Sequence, residues 1–372
     1  MYLLILLVIP LAIGIAGLVI GKGRLTWKEL LVMEGALVVL IAGTYGVAYG
    51  VARWGAISDT EIWNGRIVDK DHGTEGCCHS YPCNPYPCGC DTNGNCSTCW
   101  QTCYEHSHDE YWKASASTGD TVYSNGCNAP GTHPPARWMA IKIGEPAAVE
   151  HSYDNYILAN PDTILRRAGA AARVKEPLPS YPKTYDYYRA KTFLSQGVRL
   201  PPQLVREMND RLTEINAKLG SRHQVNIVVV MTAAPDPMYA EALSEQWVGG
   251  KKNDVIVVIG APNYPALSWV QVVSWTKAEE LKIAIRDGIM GQKTFDGAAA
   301  LAIVEREVKA RFVRREMRDF EYLLDSIEPP TWVLVMIFIL GIAAAWGMDW
   351  YFINNDPFGD EVRRGSRREL WR

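Results

Sequence analysis

Residues 224–260 read QVNIVVVMTAAPDPMYAEALSEQWVGGKKNDVIVVIG. Val225 to Met231 and Asp254 to Ile259 are apolar, β-branched runs, the pattern of strands covered on both faces. Between them, Pro237 to Trp247 predicts a helix. Upstream, Leu204, Val205, Met208, Leu212, Ile215 and Leu219 recur every three or four residues, which predicts an amphipathic helix starting after Pro201 and Pro202 and stopping at Gly220. Downstream, Trp269 to Trp275 alternates more openly, Lys277 to Ile289 reads as a helix, and a last helix runs from about Ala298 to Ile327. The order helix, strand, helix, strand, strand, helix predicts a three-layer α/β domain over residues 200–328.

The 372 residues are 48 % hydrophobic and 21 % charged, with material for a folded core. A net charge of −3 supplies no basic field, so nucleic-acid binding is not expected. The mean hydropathy of −0.09 averages apolar ends with a polar middle. Met1 to Gly21, Gly35 to Ala52 and Pro329 to Met348 carry no charged side chain, and each approaches the span a helix needs to cross a bilayer. These runs predict three transmembrane helices at 1–21, 30–52 and 329–353, with Glu34 at an interface and Trp27, Trp332, Trp346, Trp350 and Tyr351 near the span ends. The first run lacks the basic n-region and cleavage site of a signal peptide. Lys22, Arg24 and Lys28 lie in the first loop, and Arg363, Arg364, Arg367, Arg368 and Arg372 in the tail 354–372. Basic segments resist translocation, so both are expected in the cytoplasm and residues 53–328 in the periplasm of a bacterial inner membrane. Gly17 with Gly21, and Gly46 with Gly50, have the spacing for close helix packing within the chain.

All nine cysteines fall in one segment: Cys77, Cys78, Cys83, Cys88, Cys90, Cys96, Cys99, Cys103 and Cys127. Its Pro, Gly, Asn and Ser punctuate turns and supply few core side chains, so covalent or metallic links must hold it. A translocated location favours disulfides. A structural zinc on Cys96, Cys99, Cys103, His106 and His108, or a redox-active pair, is the alternative. Nine is odd, so at least one thiol is free, metal-bound or linked to another chain. Glu105 to Glu110 (EHSHDE) could take a divalent metal or be a solvated turn. Alternating runs at Glu61 to Val68 and Arg137 to Ile143 predict strands of a small β-rich subdomain carrying the cysteine-stapled loop, within residues 53–174. Tyr153 to Arg167 reads as a short helix broken by Pro161. Lys175 to Tyr188 (KEPLPSYPKTYDYY) marks an extended connector over 175–199.

The stretch EALSEQWVGGKKNDVIVVIG, with its helix, Trp, Gly-Gly and Asn-Asp ahead of a buried strand, resembles the TPM domain over about residues 200–312. That family groups thylakoid-lumen, photosystem-repair and acetylcholine-receptor accessory proteins with bacterial envelope proteins. The whole chain also resembles uncharacterised membrane proteins encoded by bacteriophages, through WVGGKKNDVIVVIG and SWTKAEELKIAIRDGIM. The TPM resemblance implies an α/β sandwich and either an accessory role or a weak phosphatase or calcium-binding activity.

Metal-assisted hydrolysis needs grouped carboxylates. The candidates are Asp236 after the first strand, Asp254 before the second, and Asp287 and Asp296 around the following helix, with a divalent cation such as calcium as the cofactor. Turn chemistry explains each position as well. Gly249-Gly250-Lys251-Lys252 lacks P-loop spacing and precedes a strand, and no His but His223 lies in the α/β region to serve a Ser-His-Asp arrangement. The expectation is an integral membrane accessory or interaction protein without catalysis, working with the lipid bilayer and an envelope or membrane protein partner; a metal-dependent phosphatase-like hydrolase is the alternative.

Overall fold

The computed structural model describes residues 2–20, 25–90, 94–125, 127, 134–159 and 169–355. Two helices open the chain, α1 (Tyr2–Ile20) and α2 (Trp27–Ile57), followed by strands β1 (Ser58–Gly76), β2 (Ser80–Cys88), β3 (Ser97–Tyr104), β4 (His108–Ala116) and β5 (Thr121–Asn125). The short helix α3 (Ala136–Ala140) leads to β6 (Pro146–Asp154) and the strands β7 (Thr184–Tyr185), β8 (Arg189–Ala190) and β9 (Phe193–Gln196). Then come α4 (Pro202–His223), β10 (Asn226–Thr232), α5 (Met238–Gln246), β11 (Asp254–Gly260), β12 (Trp269–Ser274), α6 (Glu279–Met290), α7 (Gly297–Arg311) and α8 (Thr331–Asn355). The chain is mixed α/β and divides into two units. One comprises residues 1–58, 154–160 and 320–372; the other comprises 59–153 and 161–319.

In the second unit a sheet of order β12-β11-β10-β9 forms the main core. Strand β10 runs parallel to β9 and β11, and β12 closes the sheet antiparallel to β11. Every residue of β10 and β11 is buried, as their continuous apolar runs require. Leu212, Ile215, Leu281, Ile285, Leu301 and Val304 of α4, α6 and α7 cover one face. Tyr239, Leu243 and Trp247, on and after α5, cover the other with Leu178 and Tyr181 of the connector. The connector is pinned there because Tyr239 donates to the Pro177 carbonyl at 2.9 Å, and Gln246 and Trp247 donate to that of Pro179 at 2.9 and 2.8 Å.

Several boundaries differ from the sequence expectation. Helix α4 does not stop at Gly220 but continues to His223 and ends where Gln224 takes φ of 49°. Gly220 serves a close approach instead, since a Cβ there would sit 2.5 Å from the Asn64 carbonyl oxygen. The last helix breaks at Arg311, because Val313 leaves the helical path to exchange hydrogen bonds with Thr276, giving and receiving at 3.2 and 3.0 Å. A separate 3-10 segment, Met317–Ser326, follows. Strand β9, too short to announce itself, adds a fourth strand to the sheet.

A second sheet of the same unit has the order β5-β4-β1-β6. Strand β1 extends well beyond Glu61 to Val68. Arg137 to Ile143 is not a strand: Ala136–Ala140 forms a helical turn after Pro134-Pro135, with Arg137 paired to Glu145 and the Trp138 indole donating to the Lys113 carbonyl at 3.0 Å. The fourth strand is instead Pro146–Asp154, and the segment expected to be helical from Tyr153 begins as the end of that strand and then forms a 3-10 turn at Tyr156–Ala159. Part of that segment, residues 160–167, lies outside the described residues. Between β1 and β4 the hairpin β2-β3 projects as a separate two-stranded ladder.

In the first unit, α1, α2 and α8 pack on one another through Leu6, Ile41 and Ile337 and through Met33, Leu37 and Ala345. Helices α2 and α8, 31 and 25 residues long, are long and apolar enough to cross a membrane, whereas the qualifying stretch of α1, Leu3–Gly17, is shorter. A 25-residue helix reaches about 37 Å, more than a hydrocarbon core of about 30 Å. Glu34 lies inside the bundle: both its carboxylate oxygens are buried, and its carboxylate and that of Asp349 occupy the space left by Gly14 and Gly17. Gly46 and Gly50 meet nothing within 4 Å, so they do not serve helix packing within the chain as their spacing predicted. Lys22, Arg24, Gly21 and the tail arginines lie outside the described residues.

Candidate metal centre

Strands β1 and β4 pair antiparallel to the end of the ladder, with Glu75 opposite Asp109 and Gly76 opposite His108. This register brings residues 77–79, which leave β1, against residues 105–109, which enter β4; the Glu105 N–H donates to the His79 carbonyl at 3.0 Å. Both segments are the root of the β2-β3 hairpin.

Eight cysteines pair at disulfide distance: Cys78 with Cys127, Cys83 with Cys103, Cys88 with Cys99 and Cys90 with Cys96, their Cα atoms 6.1, 5.7, 5.7 and 3.9 Å apart. Three of these bridges staple the hairpin, which has no apolar core of its own: no residue of β2 or β3 is buried. Closing such loops restricts the unfolded chain and stabilises by about 2–4 kcal/mol per bridge. Cys96, Cys99 and Cys103 therefore stand in bridges and are not free to form the zinc set expected from them with His106 and His108.

The ninth cysteine, Cys77, is free and buried. Its Sγ lies 4.0 Å from His79 Nδ1, which is 3.5 Å from Asp109 Oδ1. His106 Nε2 donates to the same carboxylate oxygen at 2.6 Å. The donor atoms of Cys77, His79, His106 and Asp109 all lie within 4.8 Å of one another. Asp109 is buried and its second oxygen is held by the Cys78 N–H at 2.8 Å, while the two imidazoles are about 40 % exposed, at 40 % and 43 %, and open the group to solvent. The hydrogen bond from His106, then that from Cys78, holds the Asp109 carboxyl below the usual carboxylate range. Of this group, only His79 was not foreseen; Asp109 lies in the EHSHDE stretch named as a candidate metal site, and Cys77 and His106 were among the candidate ligands. The available signal was the pair of fragments Gly-Cys-Cys-His and His-Ser-His-Asp at the two ends of one insertion.

The aspartates singled out in the α/β region do not converge. Asp236 follows the carboxyl end of β10, is exposed and caps its own turn by accepting from the Met238 N–H at 2.8 Å. Asp287 is exposed on α6 beside Arg286, and Asp296 caps α7 by accepting from the Ala299 N–H at 3.0 Å. Asp254 begins β11, which runs parallel to β10, and so lies at the opposite end of the sheet from Asp236. There it is 1 % exposed and surrounded by donors: the Tyr181 hydroxyl at 3.0 Å from both oxygens, Asn226 Nδ2 at 2.9 Å and the Lys251 N–H at 2.8 Å. Burial pushes its carboxyl up to about 6 against the opposing pull of these donors. The turn Val248-Gly249-Gly250, all at positive φ, delivers the Lys251 N–H, so Gly249-Gly250-Lys251-Lys252 is a turn.

Around Asp254 the network continues into β1. Lys251 Nζ lies 2.5 Å from Asp59, Tyr153 donates to Asp59 at 3.2 Å, and the buried Glu61 takes the Trp63 indole at 2.7 Å, with Arg314 and Lys252 beside it. Asn64 reaches Asn226 at 3.0 Å, and Asn253 reaches the Ile62 carbonyl at 2.7 Å. Burial, foremost, raises the Tyr153 and Tyr181 phenols well above their ordinary range. Most of these charges and amides pair with one another, while Glu61 Oε2 and Asn253 Oδ1 are buried without a hydrogen-bond partner; the set joins β1 to the end of the main sheet where Asp254 lies.

No family model, curated protein or solved structure matches the chain.

Proposed function

We propose that the chain is a membrane-anchored, non-catalytic interaction protein that holds the stapled hairpin and a TPM-like α/β domain outside the cytoplasm for an envelope or membrane protein partner. The observation that carries the reading is the hairpin itself: Tyr81, Tyr86, Trp100 and Tyr104 are exposed by 46–57 % on strands that bury nothing and are bridged three times. Aromatic side chains on a pre-ordered ribbon offer contact area at low ordering cost, which suits binding and has no use in the hairpin's own fold. Parallel β10 and β11 with antiparallel β12, and the Asn253-Asp254 pair at the start of β11, support the TPM resemblance. Apolar α1, packed against the two spanning helices, supports a third span, and the basic first loop and tail support cytoplasmic placement of both, hence a periplasmic middle. The scattered carboxylates weaken the hydrolase alternative.

A photo-crosslinking amino acid placed at 86 or 100 in the full chain, in intact cells, tests the reading. A discrete adduct, lost when Trp100→Ala is combined with the crosslinker at 86, is expected. Adducts absent at every hairpin position, or unchanged by that substitution, would refute it.

A further inference from the structure

We propose that Cys77, His79, His106 and Asp109 bind one zinc ion at the root of the hairpin. The donor set is one thiolate, two imidazoles and one carboxylate, the N/S/O mixture that tetrahedral zinc accepts, whereas calcium takes six to eight oxygens. Zinc bonds of about 2.0–2.3 Å put neighbouring ligand atoms about 3.3–3.7 Å apart. The 3.5 Å from His79 Nδ1 to Asp109 Oδ1 already falls there, and the 4.0 Å from Cys77 Sγ to His79 Nδ1 needs only a small inward shift. The 2.6 Å separation of His106 Nε2 and Asp109 Oδ1 is that of a shared proton, which the ion replaces as the two atoms part. On binding, the thiol releases a proton to solvent, His106 carries its ring proton on Nδ1 so that Nε2 is free to ligate, and no electron changes hands.

Three features mark a built site. Asp109 is oriented by a hydrogen bond from outside the group, the Cys78 N–H, as zinc-binding carboxylates generally are. The Cys78–Cys127 bridge anchors the neighbouring residue. Cys77 is the cysteine left over after four pairs, and it is buried beside the other donors. Ligands from both segments flanking the hairpin mean that the ion would tie its two ends together, which none of the three hairpin bridges does at this point: they lie farther out, on its strands and in its connecting loop. The inference is independent of the partner reading above, since a zinc clamp serves the fold whether or not the hairpin binds anything.

The test uses full-length protein purified in detergent without reductant, dialysed against zinc and then against cobalt. One zinc per chain is expected, and the cobalt form should show a thiolate-to-cobalt charge-transfer band with tetrahedral ligand-field bands. Asp109→Asn and His106→Ala should each weaken zinc binding by more than about 100-fold, beyond the 10–100-fold typical of outer-sphere partners. Cys77→Ser should abolish the charge-transfer band. Mass analysis of alkylated protein must show four bridges in every variant, and His79→Ala, at an exposed ligand, supplies a variant that keeps the buried pair intact. Protein with four bridges but no stoichiometric zinc would overturn the proposal. So would a charge-transfer band that survives Cys77→Ser.

Discussion

Replacing Asp254 by asparagine tests whether the buried carboxylate is a structural tie with a cost that depends on pH. Its carboxyl is pushed up from 3.8 to about 6 in the folded chain. A raised acid favours folding while protonated, so its contribution is fully present below pH 3.8 and is lost as pH rises through about 6. The whole difference is about 3 kcal/mol at 1.36 kcal/mol per unit, and about 2 kcal/mol of it falls between roughly pH 4.5 and 7.5. The substituted amide cannot titrate. Its oxygen can keep Asn226 and Tyr181, but its nitrogen faces the Lys251 N–H, leaving a buried donor unpaired at a cost of about 1–3 kcal/mol. Urea unfolding of both proteins in detergent, followed by tryptophan fluorescence of the buried Trp247 and Trp275, reads the gap at the two pH values. Other titrating groups are common to both proteins and cancel in the comparison. The stability of the native chain relative to D254N should fall by about 2 kcal/mol from pH 4.5 to 7.5. A gap that is constant, or that widens in favour of the native chain with rising pH, would refute the assignment of Asp254 as a buried acid held against its burial cost.

Gly220→Ala should destabilise the second unit by about 1–3 kcal/mol in the same unfolding assay, because the new methyl meets backbone of β1, which cannot swing away. Gly341→Leu should lower yield and thermal stability of the detergent-solubilised protein, since a Cβ there already lies 3.0 Å from Ile41 and 3.2 Å from Pro10, whereas Gly46→Leu should leave both unchanged. Thiol counting after denaturation without reductant should find one reactive cysteine per chain when the metal is chelated, and nine after reduction. In intact cells, an impermeant thiol label should enter through the eight bridged cysteines only after external reduction; labelling only after lysis would overturn the proposed orientation.

The parts of the fold legible in the sequence are those where one local pattern decides the conformation. The continuous Val and Ile runs of β10 and β11 match a doubly covered strand, and the charge-free stretch within α8 forms a helix long and apolar enough to cross a membrane. Where long-range partners decide, the pattern misleads. Gly220 reads locally as a helix stop, yet its lack of a Cβ is required by Asn64, more than a hundred residues away in sequence. Arg137 to Ile143 alternates like a strand, yet the ion pair to Glu145 and the indole contact to Lys113 favour a helical turn. Asp236 and Asp254 looked equivalent because both flank a strand; only the strand directions separate them, placing Asp254 at the amino end of β11 where four donor contacts surround it, while Asp287 lies apart on α6. The same reason hid the metal group. Cysteine spacing alone allowed Cys96, Cys99 and Cys103 as ligands, but antiparallel pairing of β2 with β3 brings Cys99 and Cys103 diagonally within bridging reach of Cys88 and Cys83, Cys96 bridges Cys90 in the connecting loop, and pairing of β1 with β4 brings Cys77 near His106 and Asp109. Ladder geometry thus assigns the cysteines two different tasks: those along the hairpin replace its missing core, and the one at its root meets the donors that join the hairpin to the sheet.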